Sequence, residues 1–267
     1  MSLYTLISFV MMTVLGKLSM SDRYVPRIFV DCSLQSHVHI ELGITTYHYL
    51  KNVLRLTIGS SVKIFNGSQG EWLGTIENYT KHHVIIKLQD QFKKQFLTPS
   101  LNLLFAPIKK NRLDFLVEKA TELGVTLFQP MITDYTNTKN INPSRLNLIA
   151  QEAAEQCERL DIPKIENIKS LDDVLKRWDK NELILLCAEK GDAKPIQQIL
   201  GASNTLKKSY QPHTILIGPE GGFSQREMDM LVNQEFIIPV TLGSRILRSE
   251  TAALAALACW QSNLDSL

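Results

Sequence analysis

The chain has 267 residues, of which 44% are hydrophobic and 21% charged, and 29 basic side chains against 27 acidic ones give a formal net charge of +2. These totals leave room for one large domain or two ordinary ones with real cores, and they exclude wholesale disorder. They also exclude a polycationic tail as the means of any nucleic-acid binding, so a local basic patch would have to engage phosphates.

In chain order, the first feature is an apolar run, LYTLISFVMMTVLG, over 3–16. A membrane-spanning helix needs ~20 apolar residues, and the run falls short of that. Lys17 follows the run, whereas a secretory leader carries its positive charge before it. Met20 is followed by SDRYVPRIF, which reads as a protein start. Residues 1–22 are therefore expected to be an upstream extension with a misassigned start. A membrane-associating helix and a packed extra helix are the alternatives.

From Arg27 to Gln89 the pattern is β-rich: RIFVD, HVHIEL, SVKIFN, EWLGTIENYT and HVIIKLQ alternate in polarity and carry β-branched residues. Asn66-Gly67-Ser68-Gln69-Gly70 suits a hairpin connection. One helix interrupts, TTYHYLKNVLRL, with Thr45 or Thr46 as N-cap. Such short strands with one helix point to a small β-barrel over 23–90. A polar stretch ending in Thr98-Pro99 marks a linker over 91–100, and a second domain is expected over 101–267.

There the chain alternates strand and helix. Leu101–Ala106, Val125–Ile132, Glu182–Ala188, Thr214–Ile217 and Phe236–Leu242 read as strands. Arg112–Leu123, Pro143–Arg159, a segment opened by Ser170-Leu171-Asp172-Asp173, and Thr251–Trp260 read as helices. Strands separated by helices imply an α/β domain, a parallel sheet flanked by helices. Cys32, Cys157, Cys187 and Cys259 show no ligand spacing, so no metal site is expected. They read as small core residues with no disulfide framework, which fits a reducing cytoplasm.

Two loops carry the chemistry. In ILIGPEGGFSQRE an apolar strand ends in Gly218-Pro219-Glu220-Gly221-Gly222, and Ser224 with Glu227 forms a capping box for the next helix. Pro219 removes a donor and Glu220 repels anions, so a ligand with a cationic or neutral part fits better than a phosphate. In TLGSRILRSETA a second glycine follows a second strand, and Arg245, Arg248 and Glu250 cluster before an apolar helix. Each loop alone could be an ordinary turn. Two in succession at strand ends point to a composite pocket, where open α/β sheets bind ligands.

GPEGGFS followed by LGSRILRSETA resembles the signature of the RsmE family, the 16S rRNA (uracil-N3)-methyltransferases of the SPOUT class. Pro26-Arg27-Ile28-Phe29, His48 with Val53-Leu54-Arg55, Glu118–Val125 (EKATELGV) and Glu152–Gln156 with Arg159 resemble further family motifs in the same order. The resemblance spans roughly 24–262. It implies a PUA-like β-barrel followed by a SPOUT fold with a trefoil knot, acting as a homodimer on 16S rRNA or the small ribosomal subunit. It also implies S-adenosyl-L-methionine as cofactor, held by Gly218, Glu220, Gly221, Gly222, Leu242, Gly243, Ile246, Leu247 and Arg248. Two departures stand out: Glu158 replaces a family glycine, and Tyr47 replaces the first His of a pair.

For catalysis, Arg248 or Arg159 is expected to stabilise charge developing on the uracil oxygens, with Glu250 orienting Arg248. No residue suggests itself as general base. Arg27, His48, Lys51 and Arg55 are the candidates for the RNA backbone, since His48, Lys51 and Arg55 at i, i+3 and i+7 share one helical face. The rival readings are a ribose 2′-O methyltransferase of the same fold, a non-catalytic RNA-binding homologue, and a generic nucleotide-binding α/β protein that Pro219 and Glu220 disfavour.

Overall fold

A computed structural model describes residues 25–188, 193–203 and 213–264. The N-terminal extension expected over 1–22 lies outside the described residues. The chain divides into two compact units between Gln95 and Phe96.

In the first unit the alternating segments form strands β1 (Arg27–Phe29), β2 (His39–Leu42), β3 (Ser61–Phe65), β4 (Glu71–Tyr79) and β5 (Val84–Lys93). They pair in the order β1-β3-β4-β5-β2, antiparallel except for β1 on β3. Val62, Ile64, Ile76, Ile86 and Leu88 point to one side and fill the core with Leu50. The hairpin at Asn66 forms because its Oδ1 accepts from Ser68 and Gln69 N–H, while Gly67 and Gly70 take positive φ. β5 runs through Gln91–Lys93, residues expected in the linker.

The helix differs from expectation. Helix α1 (Ile44–His48) is capped by Gly43, not Thr45 or Thr46, and widens into a π-helical turn over Tyr49–Val53. Arg55 falls beyond it in the left-handed region (φ 55°). It therefore does not continue the face carrying His48 and Lys51.

Arg27 is a correction. It is only 4% exposed, its Nε donates to Glu71 Oε1 at 2.6 Å, and its guanidinium lies 4.4 Å from the centre of the Phe65 ring. A phosphate has no access to it, and the opening motif containing it serves the barrel interior.

The second unit is α/β. Strands β6 (Asn102–Phe105), β7 (Leu127–Ile132), β8 (Lys164–Ile165), β9 (Lys169–Ser170), β10 (Ile184–Cys187), β11 (Lys194–Pro195), β12 (Thr214–Ile217) and β13 (Ile237–Thr241) are all parallel. Their order is β11-β13-β10-β12-β6-β7-β8, with β9 also on β7. The pleat sorts the side chains. Leu103, Phe105, Leu185, Ile215 and Ile217 meet helices α2 (Lys110–Glu122), α3 (Pro143–Gln156), α5 (Ile196–Ser203) and α7 (Ser249–Leu264). Leu104, Ile184, Leu186 and Leu216 face the other way, against α4 (Leu171–Lys176) and α6 (Gln225–Val232). The sheet is thus covered on both faces, which is why its strands read as near-continuous apolar runs.

α3 stops three residues before Arg159 because Glu158 adopts φ 62°, a conformation no helix continues through. Of the cysteines, Cys32 and Cys157 are exposed rather than in the core.

Candidate active site

The C-terminal ends of β10, β12 and β13 lie side by side, and the loops leaving them enclose a cleft of about 280 Å³. Gly218, Gly222, Leu242, Gly243, Ile246 and Leu247, all expected cofactor residues, line it. The two glycine turns therefore build one site. They are tied directly: Ser249 Oγ, at the start of α7, donates to the Gly218 carbonyl at 3.1 Å. Glu220, Gly221 and Arg248 lie outside the lining.

Each glycine has its own physical reason. A Cβ on Gly218 would meet the Phe223 ring at 2.8 Å, and one on Gly221 would meet Tyr135 Cβ at 3.3 Å. Gly222 (φ 71°) closes a tight turn by donating to the Pro219 carbonyl, and Gly243 takes φ 118°.

The turn is braced from below. Ser224 caps α6 in the expected capping box with Glu227. Glu227 is 1% exposed, and its two oxygens accept from Ser224 N–H and from Asp134 N–H beyond β7. Asp134 accepts from Ser224 Oγ and Arg226, and these two donors hold its carboxyl below the usual Asp range. Cys187, on the cleft wall, is pushed up to about 12 by burial, with Cys259 adding a smaller rise. It is a neutral thiol, not a nucleophile.

Two expected roles are corrected by the geometry. Arg159 donates to the carbonyls of Thr121 and Val125 at 2.8 Å and pairs with Asp161. Val125 lies just before β7, at the N-terminal edge of the sheet, opposite the cleft edge. Arg159 caps the end of α2 there and is not part of the cleft lining. Glu250, expected to orient Arg248, instead lies 3.6 Å from Arg112 Nε. Arg112 also donates to Glu220 at 2.6 Å. Arg248 is exposed and has no carboxylate partner among the described residues.

Sequence reasoning missed Arg112, together with Leu186, Phe223 and Met228 of the lining. A signal for Arg112 existed: Lys110 and Arg112 occupy the first turn of α2 with no acidic residue there, against the helix dipole. In the first unit, His48, Lys51 and Arg55 are exposed. Lys51 Nζ sits about 5 Å from the Tyr47 and Tyr79 ring centres and donates to Tyr47 Oη. Among the described residues there is no His/Cys/Asp/Glu cluster able to hold a metal, and no helix long and apolar enough to cross a membrane.

A family model for the RNA methyltransferase domain matches residues 97–261, and one for the RNA methyltransferase PUA domain matches 43–89. The ribosomal RNA small subunit methyltransferase E of Rickettsia conorii is 37% identical over 233 residues, 87% of this chain and 93% of that protein. The chain belongs to the ribosomal RNA small subunit methyltransferase E family. The Buchnera aphidicola (Schizaphis graminum) methyltransferase E is 30% identical over 91% of this chain and 98% of its own. Two solved structures share the fold. Methyltransferase E of Neisseria gonorrhoeae, bound to S-adenosyl methionine, has a TM-score of 0.78 at 24% identity and covers 90% of this chain and 98% of its own. A Legionella pneumophila protein in complex with the same cofactor has a TM-score of 0.77 at 26% identity over 90% of this chain and 98% of that one. The methyltransferase E fold thus comprises the PUA-like unit and the helix-flanked parallel sheet described above.

Proposed function

We propose that this chain transfers a methyl group from S-adenosyl-L-methionine to N3 of a uridine in 16S ribosomal RNA. The observation that carries this reading is the single cleft formed by the two glycine turns at the strand ends of a methyltransferase E chain.

The residues present fit the cofactor. Leu186, Ile217, Leu242 and Leu247 give the cleft apolar walls suited to an adenine. No atom lies within 4 Å of where a Cβ would stand on Gly222 or Gly243, so a ligand can approach the backbone there. When bound, the cofactor supplies an electrophilic methyl on a sulfonium. The protein's part is to hold donor and acceptor in line and to exclude water. Arg248, exposed beside the cleft loop, is the group to stabilise negative charge on O2 or O4 as N3 loses its proton. Gly218, Glu220, Gly221, Gly222, Leu242, Gly243, Ile246, Leu247 and Arg248 form the cofactor segment, Glu220 and Gly221 by shaping the turn.

The finer parts of the reading follow. The first unit, through Gln95, forms the RNA-binding domain, and the second, from Phe96, the catalytic domain. His48, Lys51 and Arg55 meet RNA phosphates. The chain runs from β12 past β10 to β13 and then returns to α7, and this return forms the trefoil knot. The enzyme works as a homodimer in the cytoplasm, with α7 at the dimer face.

The test is incubation with labelled cofactor and small-subunit RNA from cells lacking the activity, followed by nucleoside identification. Label in 3-methyluridine is expected. Label on a ribose would make it a 2′-O enzyme. No label together with no cofactor binding in calorimetry would leave an RNA-binding homologue.

A further inference from the structure

Arg112 touches neither cleft loop's backbone, yet it joins both loops. Its Nη1 donates to Glu220 in the middle of the first glycine turn at 2.6 Å, and its Nε lies 3.6 Å from Glu250, the second residue of α7. The spread of charge over a guanidinium allows this, since one nitrogen donates to Glu220 while another forms an ion pair with Glu250. Glu250 is 12% exposed, and its Oε2 is buried without a hydrogen bond, so among the described residues Arg112 is the cation that compensates its charge.

The position is unfavourable for anything but this pairing. Arg112 lies in the first turn of a helix, whose dipole disfavours cations, and Lys110 beside it adds like charge. The side chain is therefore held by its two partners and not by its own helix. α2 packs through Leu113, Leu116 and Val117 onto the core that α7 also joins, so Arg112 stands on a rigid base. Glu220 is drawn outward to it, and the carboxylate stays out of the cleft lining.

We propose that Arg112 is a positioning residue for the cofactor cleft. It fixes the Gly218–Gly222 turn against the start of α7, acting through Glu220 and Glu250 and touching neither cofactor nor RNA. The Ser249–Gly218 hydrogen bond is the inner tie between the same two segments, and Arg112 is the outer one. This proposal rests on the methyltransferase reading above.

Calorimetry on the full chain tests it, with S-adenosylmethionine and with S-adenosylhomocysteine, which lacks the sulfonium charge. Binding to the unaltered chain comes first: no binding there would sink the methyltransferase reading and not reach Arg112. Given binding, Arg112→Ala is expected to weaken both ligands by about two- to fivefold, the scale of a half-exposed ion pair. The KM for cofactor rises in step, while turnover at saturating cofactor is largely retained. Arg112→Lys, which keeps the charge but not the fork, should fall between. Adding Glu220→Gln to Arg112→Ala should weaken binding no further, because both remove the same tie. A lower thermal midpoint with unchanged affinity would make Arg112 merely structural and overturn the proposal. Weakening confined to S-adenosylmethionine would overturn it too, since placement of the backbone serves both ligands alike. Should Arg112→Ala not fold, Glu220→Gln alone decides by the same two affinities.

Discussion

Replacing Arg27 by Ala tests the claim that the barrel's buried ion pair is structural. Arg27 is 4% exposed and Glu71 0%, and they meet at 2.6 Å. Glu71 Oε2 already has no hydrogen bond, and Lys93 Nζ lies 3.9 Å from it. Removing Arg27 leaves that carboxylate buried and largely uncompensated, which costs about 3–5 kcal/mol in comparable buried pairs. Loss of the guanidinium from the Phe65 ring adds about 0.5–2 kcal/mol. For a unit of this size, the lower bound of 3 kcal/mol corresponds to a fall in midpoint of roughly 12–24 °C. Differential scanning calorimetry on the full chain reads it, with Arg27→Met/Glu71→Leu as the comparison. That double variant removes both charges and should recover most of the loss. RNA affinity, measured below the new midpoint, should be unchanged. A loss under about 1 kcal/mol, or a double variant no better than the single, would refute the reasoning.

Glu158→Gly should raise stability by about 1 kcal/mol, because Glu158 holds φ 62° and glycine takes that conformation freely; chemical denaturation measures it. Cys187 should resist alkylation in the folded chain at pH 8, since its thiol is pushed up to about 12, while exposed Cys157 reacts; peptide mapping by mass spectrometry distinguishes them. Asp134 has its carboxyl held below the usual range by Ser224 and Arg226, so it contributes stability above the ordinary Asp value and loses it as pH falls through its own lower value. Asp134→Asn should accordingly lower the thermal midpoint at neutral pH, with the difference closing on acidification. A difference that persists unchanged into strong acid would show that the carboxylate is not the cause.

Local pattern was a good guide wherever a residue's environment is set by its own strand or turn. The alternation in LNLLF and TILI assigns sides of the sheet because the pleat has period two, and helices cover both sides. The Ser224–Glu227 box was legible because its partners are three residues apart. The arginines were not. Arg27 finds Glu71 forty-four residues away, and Arg159 finds the Thr121 and Val125 carbonyls thirty-eight and thirty-four residues back. Arg112 reaches Glu220 across 108 residues. No periodicity encodes such pairings, so each of these cations looks from sequence like a surface charge awaiting a ligand. The π-helical turn at Tyr49–Val53 escaped for another reason: one extra residue in a turn leaves an apolar stripe almost unchanged over so short a helix.

The position of β10 has a consequence for how the protein is made. Its two neighbours, β12 and β13, both follow it in the chain, the second ending at Thr241. While the polypeptide is being synthesised, the ILLC segment emerges with both edges open, one until Thr214–Ile217 follows and the other until Ile237–Thr241 does. Such an apolar strand invites pairing with other nascent chains. The finished sheet removes that hazard by seating β10 between two strands that follow it in the chain.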